Sequence, residues 1–509
     1  MRTTPHQQEQ WRGVRIAQTV AVAFFGATLS ACAPQPRDDS AMELVSDPDV
    51  FLPSVWPYAE APLLTRPSPR PDFDCNNNGI DDAFDIAGFV PRGPYAVGDR
   101  PNHLAAGDFD GDGDMDLVVA NRDDGTVTIL WQRSFRRFDS STTISVNTRP
   151  EVPHLRPTPG CLDAGDVGGG GGVDIFIGLQ DTYGFAVLLR NDGGGRFTTE
   201  ELWLDDSPWS PSPKCLTLAD IDDDGHVDLL TTSGLRGGPT LTERVTLFRN
   251  RGDGSFAAPE HRETTLDNIG AITTADLDGD GYPEILFGAG TGRDVNIGLI
   301  ENSTTDGTAF ADWPHSWRDL PGISRADALV AADVFDDAGV NLAVLKSDGL
   351  LNVLPNLGGN LVVPEDLFDY SVGAGGLSIG AGDIDGDDRP DVIAPATATN
   401  TVALLRNFYR RSLRPAVQLP VSEEPVAVWV GNLDDDERTE IAVSHSGTDD
   451  VWILHQRPAP VSEDCDHNER PDSCDIRDNP GLDTDRDGVI DSCSSMLPAG
   501  RTLPDLPEP

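Results

Sequence analysis

The chain has 509 residues, with 85 Asp plus Glu against 37 Lys plus Arg, a formal net charge of −48. That balance argues against nucleic acid and anionic membrane surfaces as partners, and fits a protein that holds cations outside the cytosol. With 38% hydrophobic residues, 52 Gly and 40 Pro, the composition suits many short strands joined by turns, and recurring apolar runs argue against disorder throughout.

Arg2, Arg12 and Arg15 precede an apolar run from Ile16 to Leu29, which ends in Leu29-Ser30-Ala31-Cys32. The run is too short for a comfortable membrane span and has the layout of a signal peptide over residues 1–31. Its ending resembles the bacterial lipobox, which implies that Cys32 is lipidated and begins the mature chain. Plain signal cleavage beside an incidental cysteine is the alternative. Ala33 rather than Asp follows, which in the Gram-negative sorting pattern implies the outer membrane or cell surface, with the membrane face left open. Residues 32–72, with repeated Pro and little periodicity, read as an extended tether. Residues 73–87 hold Asp74, Asn76, Asn78, Asp82 and Asp85 at positions 1, 3, 5, 9 and 12 of a twelve-residue loop. Gly79 stands at position 6 and the Ile80 carbonyl at 7, the register of a calcium loop with Asp in place of the usual final Glu.

A nine-residue stretch then sets the pattern for residues 88–457. Asp108, Asp110, Asp112 and Asp116 fall at positions 1, 3, 5 and 9 of D-x-D-x-D-G-x-x-D, and the Asp114 carbonyl adds position 7. Ca²⁺ takes six to eight oxygens, and alternate side chains of a tightly curled loop converge on one point. Magnesium would keep more waters and use fewer carboxylates. For a single copy a solvated acidic turn would be a serious rival, but the stretch recurs. Asp220, Asp222, Asp224 and Asp228 repeat it, as do Asp276, Asp278, Asp280 and Glu284, with His226 and Tyr282 at position 7. Asp383, Asp385, Asp387 and Asp391 follow with Arg389, then Asn432, Asp434, Asp436 and Glu440 with Arg438. Degenerate copies start at Asp166 and Asp333. The starts at 108, 166, 220, 276, 333, 383 and 432 lie 49 to 58 residues apart, one four-stranded propeller blade each, so seven blades are expected.

Within each period one apolar segment enters the acidic loop and another leaves it, as in His103–Gly107 and Leu117–Ala120. A third follows (Val127–Trp131), then a glycine turn and a fourth strand, as around Asn191–Phe197. The fold class is therefore all-β. The repeated G-D-x-D-G-D-G-x-x-D-L pattern resembles the FG-GAP/VCBS repeats of integrin α-subunit propellers and many bacterial surface proteins. The resemblance implies a seven-bladed β-propeller with structural calcium in loops between neighbouring strands of a blade, and does not imply integrin function. The last repeat has three strand segments and then proline, whereas Phe89–Gly98 precedes the first loop and matches Leu361–Gly373 before the sixth. The segment near 88–97 is thus expected to supply the outer strand of blade seven.

Residues 458–495 carry two more acidic loops, one with Asp464, Asp466, Asn468, Asp472 and Asp475, the other with Asp483, Asp485, Asp487, the Val489 carbonyl and Asp491. With residues 74–85 they resemble the calcium loops of dockerin and thrombospondin type 3 repeats; flexible acidic spacers are the alternative. Residues 496–509 read as a disordered tail. With Cys32 lipidated, six cysteines remain, in keeping with an oxidising compartment. Cys465 and Cys474 share one loop and are expected to pair. Cys161 with Cys215, at equivalent places in adjacent repeats, and Cys75 with Cys493, at the two flanks, are the other expected bridges.

No catalytic constellation is expected. Gly376-Leu-Ser378-Ile-Gly380 matches the hydrolase G-x-S-x-G but lies on a strand entering an acidic loop, and that motif needs a strand-to-helix turn. Arg251-Gly252-Asp253 looks like an adhesion tripeptide but occupies the glycine turn of its repeat. The expectation is a calcium-stabilised, lipid-anchored propeller that binds an unknown protein or glycan, and not an enzyme. A lectin, or a propeller hydrolase or lyase, is the competing class. Residues 132–160 and 288–325, the latter with Trp313, His315 and Trp317, are the expected contact surfaces.

Overall fold

A computed structural model describes residues 89–456 apart from 135–136, 151–156, 169–170, 181–183, 205–211, 235–242, 265–268, 291–294, 304–308, 321–325, 336–338, 357–360, 362–368, 385–388, 409–411 and 435–437. Seven antiparallel four-stranded sheets follow one another along the chain. Their innermost strands are Pro101–Gly107, Thr158–Gly165, Ser212–Ala219, Ile269–Ala275, Ala326–Ala332, Gly380–Gly382 and Pro425–Gly431. Each packs against the next, and the seventh packs against the first, so the sheets close into a seven-bladed β-propeller. Among the described residues no helix is long and apolar enough to cross a membrane.

Burial falls from the axis outwards, and the sequence follows it. The second strand of blade one, Asp116–Asn121, is buried at every position, because stacked blades cover both of its faces. The outermost strands, Arg137–Ser145 and Phe197–Trp203, alternate weakly and are mostly exposed, with polar or charged residues blunting the free edge. A register shift recurs near the start of six innermost strands, between Pro101 and His103 in blade one and between Pro159 and Cys161 in blade two. Such a bulge bends and twists a strand where the ring is tightest. Close packing there also needs glycine: a Cβ on Gly107 would lie 2.8 Å from Val173 Cγ1 of the next blade.

Blade seven is assembled from both ends of the ring. Phe89–Ala96 lies antiparallel to Asp450–Gln456, with Phe89 opposite Gln456 and Ala96 opposite Asp450. The expected closure by the N-terminal strand is therefore observed. Tyr95 meets Phe138 of blade one edge to face at 5.4 Å, so the closing strand also touches the following blade.

Two expectations need correction. Cys161 and Cys215 do sit together on adjacent innermost strands, but as free, fully buried thiols rather than a disulfide. Burial, and next the neighbouring Cys215 thiol, pushes the Cys161 pKa well above the ordinary thiol value. The pair packs as small apolar groups in the core that joins blades two and three. Trp313 is no contact residue, being fully buried and packed edge to face on Phe310 at 5.2 Å, beside the short turn Phe310–Asp312. Ser378, the serine of the G-x-S-x-G match, is fully buried, and its Oγ accepts the Val428 N–H at 2.7 Å, linking blades six and seven.

Candidate metal centres in the blade loops

Each acidic loop joins the first and second strands of its blade, and its ninth residue opens the second strand. Strand direction there turns the residue-9 carboxylate back under the loop. In blade one, Asp116 Oδ2 accepts the Phe109 N–H at 3.1 Å and Oδ1 accepts the Gln132 N–H at 2.8 Å. Asp174 and Asp228 repeat the same two contacts. Glu284, Asp391 and Glu440 accept the position-2 N–H likewise. Burial pushes the pKa of Asp116, Asp228 and Glu284 up to about 7, and raises Asp174. A bound divalent cation would reverse that tendency by favouring the charged forms.

Among the described residues, positions 1, 3 and 9 come together in three loops. Ligand oxygens of Asp108, Asp110 and Asp116 lie within 4.8 Å of one another, as do those of Asp220, Asp222 and Asp228, and of Asp276, Asp278 and Glu284. Asp110 Oδ1 and Asp222 Oδ1 are buried with no hydrogen-bond partner, which a cation in the loop would supply. All donors are hard oxygens, so the sets fit calcium. Position 1 already gathers loop amides: Asp108 accepts the N–H groups of Gly111 and Gly113, and Asp276 those of Gly279 and Gly281. Position 5 is not part of the converging sets. Asp112, Asp224 and Asp280 instead accept the N–H of Asp114, His226 and Tyr282 two residues on, which shapes the turn.

Arginines share these loops. Arg133 pairs with Asp110, and Arg249 Nη1 lies 2.6 Å from Asp222 Oδ2 and its Nε 3.0 Å from Glu260. A cation at position 3 must compete with those guanidinium groups. Of the remaining expected ligands, Asp385, Asp387 and Asp436 lie outside the described residues. So do Asp74 to Asp85, Asp464 to Asp491, Cys32, Cys75, Cys465, Cys474 and Cys493. Asp383, Asp391, Asn432, Asp434 and Glu440 are described, and the last two approach His455.

One set of residues went unread in the sequence. Near the end of each third strand, from just inside it to two residues beyond it, stands a side-chain amide: Gln132, Asn191, Asn250, Asn302, Asn356, Asn407 or Gln456. Each side-chain amide donates to the carbonyl at loop position 2 of the preceding blade. The acceptors are Leu433 (2.9 Å), Phe109 (2.7 Å), Val167 (3.0 Å), Ile221 (2.8 Å), Leu277 (2.7 Å), Val334, and Ile384 (3.1 Å). The ring is thus laced once per blade, and the Gln132 to Leu433 bond spans the closure. An amide at a fixed place in every repeat was the available signal.

A closed ring of seven blades, each opening on an acidic loop, defines a repeat propeller built to hold its shape. The model of the FG-GAP-like repeat matches residues 108–177 and 236–287, so those repeats are FG-GAP-like, within a ring of sheets that makes a seven-bladed β-propeller. The crystal structures of BBS1N in complex with ARL6DN, soaked with lead or with mercury, are similar at 13% identity over 74% of this chain and 99% of that chain, with TM-scores of 0.47 and 0.49. No curated protein matches the chain. The fold supports a generic interaction scaffold.

Proposed function

We propose that the protein is a calcium-stabilised display scaffold, held at the outer membrane or cell surface by lipid on Cys32, which binds a protein or glycan partner. The observation that carries the calcium reading is the convergence of positions 1, 3 and 9 in blades one, three and four, with orphaned carboxylate oxygens on Asp110 and Asp222. Calcium cancels repulsion among these carboxylates and pins each hairpin, while the rigid ring presents its outer surface.

The surface best suited to a partner is a groove of about 900 Å³ between the outer strands of blades two and three. Arg190, Arg196, Trp203, Phe256 and Pro259 line it. Trp203 is the one exposed large hydrophobic among the described residues, at 38% exposure, and the Arg149 guanidinium lies 4.9 Å from its ring centre. An exposed aromatic with a cation on its face suits either peptide or sugar. This groove displaces residues 288–325 as the leading contact surface. Arg251-Gly252-Asp253 lies in a turn tied by its own bonds, with Asp253 Oδ1 accepting the N–H and O–H of Ser255.

The test is thermal melting with chelator and with 10 mM calcium, followed by glycan-array and pull-down assays. At dissociation constants of about 0.1–1 mM, usual for extracellular modules, about 10 mM calcium stabilises by about 1.4–2.7 kcal/mol per loop. An unchanged melting temperature refutes the calcium reading. Trp203→Ala should keep the calcium response and lose partner capture. Cys32→Ser should move the protein from the membrane to the soluble fraction.

A further inference from the structure

We propose that blade seven holds a site for a zinc-class divalent cation, made by Asp434, Glu440 and His455, with donor chemistry unlike that of the calcium loops. Asp434 and Glu440 are positions 3 and 9 of the seventh acidic loop. His455 comes from the third strand of the same blade and lies directly opposite Glu440 in the sheet register. His455 Nδ1 is 3.8 Å from Asp434 Oδ2 and 3.8 Å from Glu440 Oε1. All three residues are buried, at 3%, 7% and 0% exposure for His455, Asp434 and Glu440.

Glu440 Oε1 and both ring nitrogens of His455 are buried without a hydrogen-bond partner. A native core rarely leaves three such atoms in one place unless something completes them. The separations are too long for hydrogen bonds, yet close to the roughly 3.3 Å between two ligands of a tetrahedral ion with bonds of about 2.0–2.1 Å. A contraction of a few tenths of an ångström would close the three groups on an ion, with water in the fourth position.

Comparison among the repeats points the same way. The residue before the bracing amide is Arg190, Arg249 or Arg406 in blades two, three and six, and Arg249 reaches the position-3 carboxylate of its own loop. At that place blade seven has His455, an imidazole that can offer a ring nitrogen where those blades have a guanidinium. Position 6 is Glu437 where the calcium loops of blades one, three and four have glycine. Imidazole with two carboxylates suits zinc and its first-row neighbours, whereas calcium prefers an all-oxygen shell. A cavity of about 330 Å³, lined by Gly113, Asp114, Met115, Asn432, Leu433 and Asp434, lies beside Asp434 between the loops of blades one and seven. His455 also stands opposite Val90 of the N-terminal strand, so the ion would stiffen the blade that closes the ring.

The experiment titrates zinc into the untagged full-length chain kept in saturating calcium throughout. One zinc ion per chain should bind, and His455→Ala and Glu440→Gln should each weaken that binding at least about tenfold while retaining the calcium melting response. Should either variant fail to fold, X-ray absorption at the zinc edge of the wild-type complex decides. Imidazole scattering with nitrogen and oxygen neighbours supports the site. Sulfur neighbours, no imidazole scattering, zinc uptake indifferent to His455, or no zinc uptake in calcium each overturn it. Because calcium response is read separately, failure here leaves the calcium reading standing.

Discussion

Truncating Phe89 to alanine measures how much the ring depends on its closing strand. Phe89 is fully buried in an apolar cluster with Ile384, Ile393 and Leu404 of blade six and Val430, Ile441 and Leu454 of blade seven. Pro91 is the other buried position of the strand, while Arg92, Pro94 and Ala96 face solvent. One aromatic therefore carries most of the strand's burial. Removing it costs about 3–5 kcal/mol, since neighbours from two stacked blades hold the cavity open. Against a typical total of about 5–15 kcal/mol, that is a large fraction of the stability. Urea unfolding followed by tryptophan fluorescence should show a midpoint lowered accordingly, with an unchanged slope and a single transition. Arg92→Ala, on the exposed side of the same strand, should stay within about 0.5 kcal/mol. Deleting residues 88–97 should unfold the ring cooperatively. If Phe89→Ala costs less than about 1 kcal/mol, or produces an early separate transition, the strand is an appendage and the closure argument fails.

Three further outcomes follow from the interior. Asn250→Ala removes donors to the Val167 and Val227 carbonyls at 3.0 and 3.1 Å, and should cost about 1–3 kcal/mol by chemical denaturation. Asp163 accepts the Leu218 N–H of the next blade, and burial pushes its pKa up to about 7. Its folded form holds a proton that the unfolded chain, with the ordinary value near 3.8, has released. The contribution is therefore most favourable below about pH 4 and declines as pH rises through about 7. Denaturation across that window in saturating calcium should show the decline in wild type and a flatter profile in Asp163→Asn. Cys161 and Cys215 should resist alkylation in the folded protein and both react in denaturant without reductant; a need for reductant would mean that they are bridged.

The ring was legible because its determinants are local. The acidic loops recur at one blade length, and the missing fourth strand of the last repeat had a visible substitute at Phe89. What stayed hidden depends on contacts between repeats. The partner of Asn191 is a backbone carbonyl 82 residues earlier, so no residue type marks it. His455 gains meaning only beside Glu440 across the sheet, and Trp313 reads as a surface aromatic until the turn at Phe310 buries it.

The degenerate loops show which role came with the fold. Blades two and five have no carboxylate at position 3, where Gly168 and Phe335 stand. Position 9 nevertheless keeps an acceptor in both: Asp174 takes the Val167 N–H at 3.3 Å, and Asn341 takes the Phe335 N–H at 2.8 Å. The amides of Asn250 and Asn407 still reach the carbonyls of Val167 and Val334 in those same loops. Hydrogen bonding from position 9 and from the neighbouring blade therefore persists where the cation set does not. The loop is first a hydrogen-bonded connector between blades, which every repeat needs. The acidic set of positions 1, 3 and 9 is layered on it: blades two and five lack its position-3 carboxylate, and in blade seven the position-9 Glu440 faces His455.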